Sequence, residues 1–370
     1  MRKKILAVAL SRMMLAGVLG GCGGAKDSSD KGASSADAGS SSADAGSDAG
    51  DDAGASGDDK IVVGFSQVGA ESDWRTANTQ SMKETFVAEN GYELIFDDAQ
   101  QKQENQITAI RNFIQQEVDY IVLAPVTETG WDTVLKEAQD ADIPVIIVDR
   151  MVDVSDDSLY TAWVGSNFKL EGQKACAWLK AYADAKSLTE INIVDIQGTI
   201  GASAQIGRTE ALNEAVSENG WNLVAQQTGE FTQAKGQEVM ESVLKKSDNI
   251  NVVYCENDNE AFGAIDAIKA AGKTVGPDGD ILVMSFDTTK SGITMTKDGD
   301  IIVNTECNPL HGPRVEEIIK TLESGGTPDK VAYVEEGIYA YGSDVTSVNI
   351  DGVDYEVTEV TDEVVADRAY

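Results

Sequence analysis

From position 61 onward, short apolar runs alternate with longer stretches of helical pattern. Residues 61–65 (Ile-Val-Val-Gly-Phe) read as a strand, followed by a helix over 76–89. The strand 92–96, a helix over 104–116, the strand 120–124, a helix over 131–140 and the strand 144–148 continue the series. A second series opens with 191–194 and returns with 252–254 and 281–284. Strands apolar at every position are buried on both faces, and such strands separated by helices indicate parallel sheets covered on each side. Two series in one chain predict an α/β protein of two doubly wound parallel-sheet lobes. Ligands of such sheets sit beyond the carboxyl ends of the strands, so the residues that follow each strand are the ones to inspect.

The first 59 residues follow other rules. Arg2, Lys3 and Lys4 precede an apolar run from Ile5 that ends at Leu19-Gly20-Gly21-Cys22. The run is too short for a membrane span and polar sequence follows it, the layout of a secretory signal. Leu-x-Gly-Cys resembles a bacterial lipobox, in which the cysteine is lipidated and becomes the mature N-terminus. Arg12 interrupts the run, and an ordinary secretory signal with an incidental cysteine shares these features. Residues 23–59 repeat Ser-Ala-Asp-Ala-Gly-Ser at 35–40 and 42–47, with nine Asp, two Lys and no aromatic residue, Leu, Ile or Val. Such a segment buries too little apolar surface to offset the entropy of ordering, so it reads as a disordered acidic tether. A tether behind a lipidated Cys22 would hold a soluble domain off a bacterial cell membrane.

Charge and cysteines narrow the chemistry of the remainder. Of the formal net charge of −34, the signal carries +4 and the tether −7, leaving −31 on residues 60–370. That field repels nucleic acid and anionic membrane and leaves a small neutral molecule as the more plausible partner. Beyond Cys22 the cysteines are Cys176, Cys255 and Cys307, at no metal or redox spacing, and His311 is the only histidine. No zinc site, histidine triad or cofactor is expected. An oxidising compartment permits one disulfide, with Cys255 and Cys307 as the pair near the strand ends.

The strand-end segments carry a recognisable pattern. Gly64-Phe65-Ser66-Gln67-Val68-Gly69 leads through to Trp74-Arg75. Then come Gln100-Gln101-Lys102-Gln103-Glu104-Asn105-Gln106, Gln197-Gly198-Thr199, Phe231-Thr232 with Lys235-Gly236, and Asn257-Asp258. Over residues 60 to about 341 the chain resembles periplasmic sugar-binding proteins of the ribose/galactose type, and more closely their galactofuranose-binding branch. Repressor effector domains share that superfamily, but no DNA-binding headpiece precedes this domain. The resemblance implies a type I periplasmic binding protein fold: two lobes joined by three crossings near Gly165-Ser166, near Glu306-Cys307 and around Glu335 to Gly337. It implies an N-terminal lobe of 60–165 with 307–335 and a C-terminal lobe of 166–306 with 336–370. Residues beyond Tyr341 do not follow the family pattern.

A sugar offers hydroxyls that donate and accept around a ring with apolar faces, so its binder needs paired polar groups and aromatic surfaces. The resemblance assigns ligand contacts to Glu71, Trp74, Arg75, Asp149, Arg150, Arg208, Phe231, Asn257, Asp287 and Glu306. For several of them the residues also allow plainer roles: a capping charge pair for Asp149-Arg150, core packing for Trp74, a surface pair with Glu210 or Glu214 for Arg208, and helix capping for Asn257. Trp163, Trp178 and Trp221 read as packing, and His311 as the start of a helix. The implied function is capture of a monosaccharide, galactofuranose or a similar aldose, by a monomer that closes on it and delivers it to the permease and ATPase subunits of an ABC importer. A sensing protein that presents sugar to a membrane receptor fits the same residues. A glycosidase fits less well, because each strand-end carboxylate is matched with Arg or Asn.

Overall fold

The computed structural model describes residues 60–370, so the signal segment with Cys22 and the tether lie outside the described residues. The first series of strands and helices is β1 (Ile61–Gln67), α1 (Asp73–Thr85), β2 (Tyr92–Asp98), α2 (Gln103–Gln115), β3 (Tyr120–Leu123), α3 (Asp132–Asp140), β4 (Val145–Val148) and β5 (Ala162–Gly165). The second runs α4 (Phe168–Lys186), β6 (Asn192–Gln197), α5 (Ser203–Asn219), β7 (Asn222–Thr228), α6 (Gln233–Leu244), β8 (Val252–Cys255), α7 (Asp258–Ala270), β9 (Leu282–Asp287), α8 (Lys290–Asp298) and β10 (Val303–Glu306). The chain then returns through α9 (Gly312–Glu323) and β11 (Val331–Tyr333). It ends with β12 (Ile338–Ala340), β13 (Ser347–Ile350), β14 (Val353–Glu359) and α10 (Asp362–Asp367).

Two sheets result. The first has the order β11-β5-β4-β3-β1-β2 and is parallel throughout. The second has the order β13-β14-β12-β10-β9-β8-β6-β7, parallel from β7 to β10, with β12 antiparallel to β10 and β13 antiparallel to β14. Strands β3, β4 and β8 are buried at every position, which is why their sequences are unbroken apolar runs, and β9 is buried as well although it carries Ser285 and Asp287. Separate apolar clusters fill the two faces of each sheet: Val63, Val122 and Ile319 against Ile110, Leu135 and Ile147 in the first, Tyr254, Phe286 and Trp178 against Val253, Ile265 and Ile301 in the second. In both sheets the strand order reverses beside the first strand, at β1/β3 and at β6/β8. A crevice opens outside the carboxyl ends there.

Helix α1 begins three residues before the predicted start and ends four residues sooner. Ser72 caps it, Oγ accepting from the Arg75 amide at 3.1 Å, which puts Trp74 and Arg75 in the first turn. Its end is set at Phe86, which leaves helical geometry, and Gly91 at φ +84° turns the chain into β2. The chain passes between the sheets at three places: Gly165 to Phe168, Glu306 to Gly312, and Tyr333 to Ile338. These segments lie side by side, with Val334 N donating to Gly165 O at 2.9 Å and Glu306 N to Gly337 O at 3.0 Å. A Cβ on Gly165 would meet the Asp149 carbonyl oxygen at 2.3 Å, so only glycine lets the first crossing lie against the end of β4.

The tail after Tyr341 is built into the second lobe. Asp351 and Gly352, both at positive φ, turn the β13–β14 hairpin, and Val348 and Val357 are buried in the core cluster over α4. Trp163 and Trp178 are buried, while Trp221 is part-buried against that cluster. Cys176, Cys255 and Cys307 are free, so the Cys255–Cys307 bridge that the sequence left open does not form. The reason is placement: Cys255 packs beneath the sheet among Val253 and Ile265, whereas Cys307 packs beside Trp74. Among the described residues, no helix is long and apolar enough to cross a membrane.

Candidate functional site

The carboxyl ends of the two sheets face one another across a small hollow. From the first sheet come Glu71, Ser72, Trp74 and Arg75 at the start of α1, and Asp149 and Arg150 after β4. The second sheet supplies Ala204 and Arg208 on α5, Phe231 before α6, Asn257 at the cap of α7 and Asp287 at the end of β9. Phe168 and Cys307 enter from two of the crossings. The hollow offers about 30 Å³ to the centre of a water molecule. With the radius of the water added back, this is a space of about 150 Å³, that of about five waters at liquid density. It suits one sugar ring and no second one.

Its walls are charged and buried. Arg75, Asp149, Arg150, Arg208 and Asp287 are each at most 4% exposed. Burial of an uncompensated charge costs several kcal/mol, so their partners matter. Arg75 bridges Asp149 (Nη2–Oδ2 2.8 Å) and Glu71 (Nε–Oε1 2.9 Å) and donates to Gln67 Oε1 at 3.2 Å. Arg150 lies 3.6 Å from Glu71 Oε1 and donates to the Val126 carbonyl at 3.0 Å. Two carboxylates and two guanidinium groups balance in the first lobe. Burial, and then the charge of Arg75, push Arg150 down to about 10. For Arg75 itself burial pulls the same way, but Asp149 and Glu71 override it and hold the group above its ordinary value.

In the second lobe Arg208 is the hub. Its Nε and Nη2 both donate to Glu171 Oε2 at 2.8 Å, its Nη1 donates to the Glu256 carbonyl, and Asp287 Oδ1 lies 3.7 Å from Nη2. The guanidinium also stacks 4.7 Å over the Phe286 ring. Burial drives the Asp287 carboxyl well above the usual carboxylate range, against the pull of Arg208.

Apolar surface completes the walls. Trp74, Phe168, Ala202, Ala204, Phe231 and Cys307 form one cluster spanning both lobes. Trp74 Nε1 donates to the Cys307 carbonyl at 2.6 Å, which fixes the indole, and Arg150 sits 5.1 Å over the Phe231 ring. Three lining residues other than glycine hold positive φ: Asp149 (62°), Phe231 (61°) and Asp287 (100°). Each such conformation costs about 1–3 kcal/mol and clusters where function demands it.

Nine of the ten residues expected from the sequence line this hollow, and Glu306 does not. Its Oε1 accepts from Arg368 Nη1 at 2.7 Å and the Tyr370 hydroxyl at 2.6 Å, and its Oε2 from the Gly337 amide at 3.0 Å. The tail has claimed it. Asn257 lines the hollow but also caps α7, Oδ1 accepting from Glu260 N at 2.8 Å while Nδ2 donates to the Phe231 carbonyl at 3.0 Å. The expected surface partners of Arg208, Glu210 and Glu214, bind Lys169 instead. Phe168 and Glu171 were not singled out from the sequence. Phe168 is the aromatic residue directly after the first crossing and could have been found there, whereas nothing local marks Glu171. His311 caps no amide but is wholly buried before α9, with its Nδ1 2.9 Å from Asn78 Nδ2.

Residues 63–306 match the family described as periplasmic binding protein domain. The galactofuranose-binding protein YtfQ of Escherichia coli (strain K12) is 42% identical over 285 residues, covering 75% of this chain and 87% of its own length. A solved protein of Mycobacterium smegmatis in complex with β-D-fucofuranose is 42% identical, with a TM-score of 0.72, covering 76% of this chain and 91% of that one. The binding component of an arabinose ABC transporter from Shewanella sp. ANA-3, bound to α- and β-L-arabinofuranose, is 42% identical, with a TM-score of 0.70 and coverages of 75% and 91%. With two lobes of this topology facing each other across such a hollow, the chain belongs to the periplasmic binding protein family.

Proposed function

We propose that this protein is the extracytoplasmic capture component of an ABC importer and that it binds one monosaccharide, galactofuranose or a similar aldose, between its lobes. One observation carries the reading: a single-ring hollow walled by balanced buried carboxylates and guanidinium groups and by a Trp–Phe–Phe surface. The furanose preference rests on the ligands of its relatives. Lobes of 60–165 with 307–335 and 166–306 with 336–370, a monomeric state, and a lipid anchor at Cys22 complete the proposal.

Capture proceeds by hinge closure. The sugar hydroxyls meet Asp149 and Arg150 from one side and Arg208, Asn257 and Asp287 from the other, and only the closed form offers both sets. The ligand therefore shifts the population toward closure by its differential affinity. Three hydrogen bonds join the rims: Asp73 N to Asn259 Oδ1, Glu128 N to Gly201 O, and Met151 N to Ser203 Oγ, each 2.9 Å. The closed shape is the one delivered to the permease and its ATPase.

The test is a calorimetric titration with L-arabinose, D-galactose, D-ribose and the disaccharide lactose. Saturable 1:1 binding of one of the monosaccharides, without lactose binding, is expected. Binding of none of them, or tighter binding of lactose, would defeat the proposal. Incorporation of labelled fatty acid by the wild type but not by Cys22→Ser tests the anchor.

A further inference from the structure

Behind Arg208 the three crossings converge on two carboxyl groups. Glu171, in the first turn of α4 and 1% exposed, gives Oε2 to Arg208. Its Oε1 is buried and receives no N–H or O–H donor. Glu336, on the third crossing, gives Oε1 to Ser166 Oγ of the first crossing (2.6 Å) and to Asn308 N of the second (2.7 Å). One oxygen of each carboxyl group and Cys307 Sγ all lie within 4.8 Å of one another. Two ionised carboxylates that close repel and cannot hydrogen-bond to each other, whereas a single proton between them removes the repulsion and supplies the missing donor.

We propose that Glu336 and Glu171 share one proton, and that this pair is the positioning device that locks Arg208 to the three crossings. Arg208 holds Glu171 as the carboxylate, so the proton belongs on Glu336, which donates to Glu171 Oε1 while its other oxygen staples Ser166 and Asn308. A rigid path then runs from the cavity wall through Arg208, Glu171 and Glu336 into all three crossings. Closure around a ligand and the geometry of the hinge become one event.

The surrounding charges agree. On α4, Lys174 Nζ donates to the Glu336 backbone carbonyl at 2.7 Å. From α5 comes Arg208, and from the end of β9 Asp287. Beside β10 stand Glu306, already held by Arg368 and Tyr370 of the tail, and Cys307, which burial keeps as a thiol. Burial, and then the charge of Glu171, drive Glu336 well above the usual carboxyl range, and burial raises Glu171 against the pull of Arg208. A carboxyl raised on folding contributes stability that is full below its unfolded value, near 4.3, and is lost as pH rises toward its folded value.

The experiment compares the full chain with its Glu336→Gln and Glu171→Gln variants. Glutamine at 336 keeps an N–H donor toward Glu171 and an oxygen for Ser166 and Asn308. We expect Glu336→Gln to match the wild-type unfolding midpoint near pH 5 and to exceed it increasingly toward pH 9. The wild-type minus Glu336→Gln infrared spectrum at pH 7 should contain the carbonyl stretch of a protonated carboxylic acid. Parallel pH profiles, a carboxylate band in that difference spectrum, or stoichiometric zinc bound through Cys307 would overturn the shared proton. If Glu336→Gln does not fold, the wild-type minus Glu171→Gln infrared spectrum is read instead: a protonated-acid carbonyl band that shifts or disappears in the variant is the supporting result, and no change in that region the refuting one. The positioning of Arg208 rests on the sugar-binding reading: at pH 6, Glu171→Gln should weaken sugar binding at least tenfold and Glu336→Gln less than twofold, and equal affinities would overturn it. A wild type that binds no sugar defeats the functional proposal, while the stability and infrared measurements still judge the proton.

Discussion

Asp149→Asn isolates one charge in the cavity without disturbing its shape. Asp149 stands at φ +62°, a conformation asparagine tolerates best among the other side chains, whereas alanine adds about 1–2 kcal/mol of strain there. The substitution removes the carboxylate 2.8 Å from Arg75 Nη2 and 4.0 Å from Arg150 Nε. Two guanidinium groups then share Glu71 alone, and the first-lobe set moves from neutral to +1. Stripping one partner from a buried pair costs about 3–5 kcal/mol. Because Glu71 stays at 2.9 Å from Arg75 and 3.6 Å from Arg150, we expect the lower end of that range for the stability loss. A hydrogen bond from a sugar hydroxyl to a charged acceptor contributes about 1.5–3 kcal/mol, so Kd should rise roughly 10- to 150-fold. Calorimetric titration with the preferred sugar measures the second quantity, and urea unfolding without sugar measures the first. An Asp149→Asn protein that binds within twofold of wild type would refute the reasoning, whatever its stability.

Other perturbations reach the cavity from farther away. A Cβ on Gly198 would lie 1.9 Å from the Phe231 ring, so Gly198→Ala must displace that ring; titration should show at least tenfold weaker sugar binding, with roughly 1–3 kcal/mol of overpacking strain in unfolding experiments. Ser203→Ala and Asn259→Ala each remove one rim hydrogen bond made only on closure, worth about 1 kcal/mol, so each should raise Kd about fivefold while leaving the first-lobe ion pairs intact. Arg368→Ala takes a cation from the half-buried Glu306 carboxylate, and the unfolding midpoint should fall without a change in Kd larger than twofold. Burial pushes the His311 imidazole down to about 4, so its neutral form stabilises the fold above its unfolded value near 6.5 and that share is lost as pH falls toward 4. Between pH 7 and pH 4 the wild type should lose up to about 3 kcal/mol more than His311→Asn in urea unfolding.

What could be read from the sequence was whatever chain neighbours determine. Strands β3, β4 and β8 are wrapped on both faces, so their apolar runs are continuous and their ends mark the crevice. Asp149 and Arg150 follow the end of β4 directly, while Trp74 and Arg75 lie beyond β1 in the first turn of α1. Glu306 closes β10, and the family resemblance put it in the cleft. It is withdrawn by Arg368 and Tyr370, partners 62 and 64 positions away that no local pattern announces. Glu171 stayed hidden for the opposite reason: it approaches from a helix behind the site and acts only through Arg208. The early start of α1 turned on a single hydroxyl, that of Ser72.

The buried charges explain why the cavity can be both stable and selective. A lone guanidinium in this hollow would be expelled by its desolvation penalty, yet Arg75, Arg150 and Arg208 are each held by buried carboxylates or carbonyls of the protein. Their remaining donor capacity points inward with its position already fixed, so little ordering entropy is left for the ligand to supply. A sugar missing one hydroxyl leaves one of those groups unpaired in a buried site, at about 1–3 kcal/mol. Selectivity therefore scales with the number of preorganised groups, and any substitution that frees Arg208 from Glu171 should cost discrimination between sugars before it costs the fold.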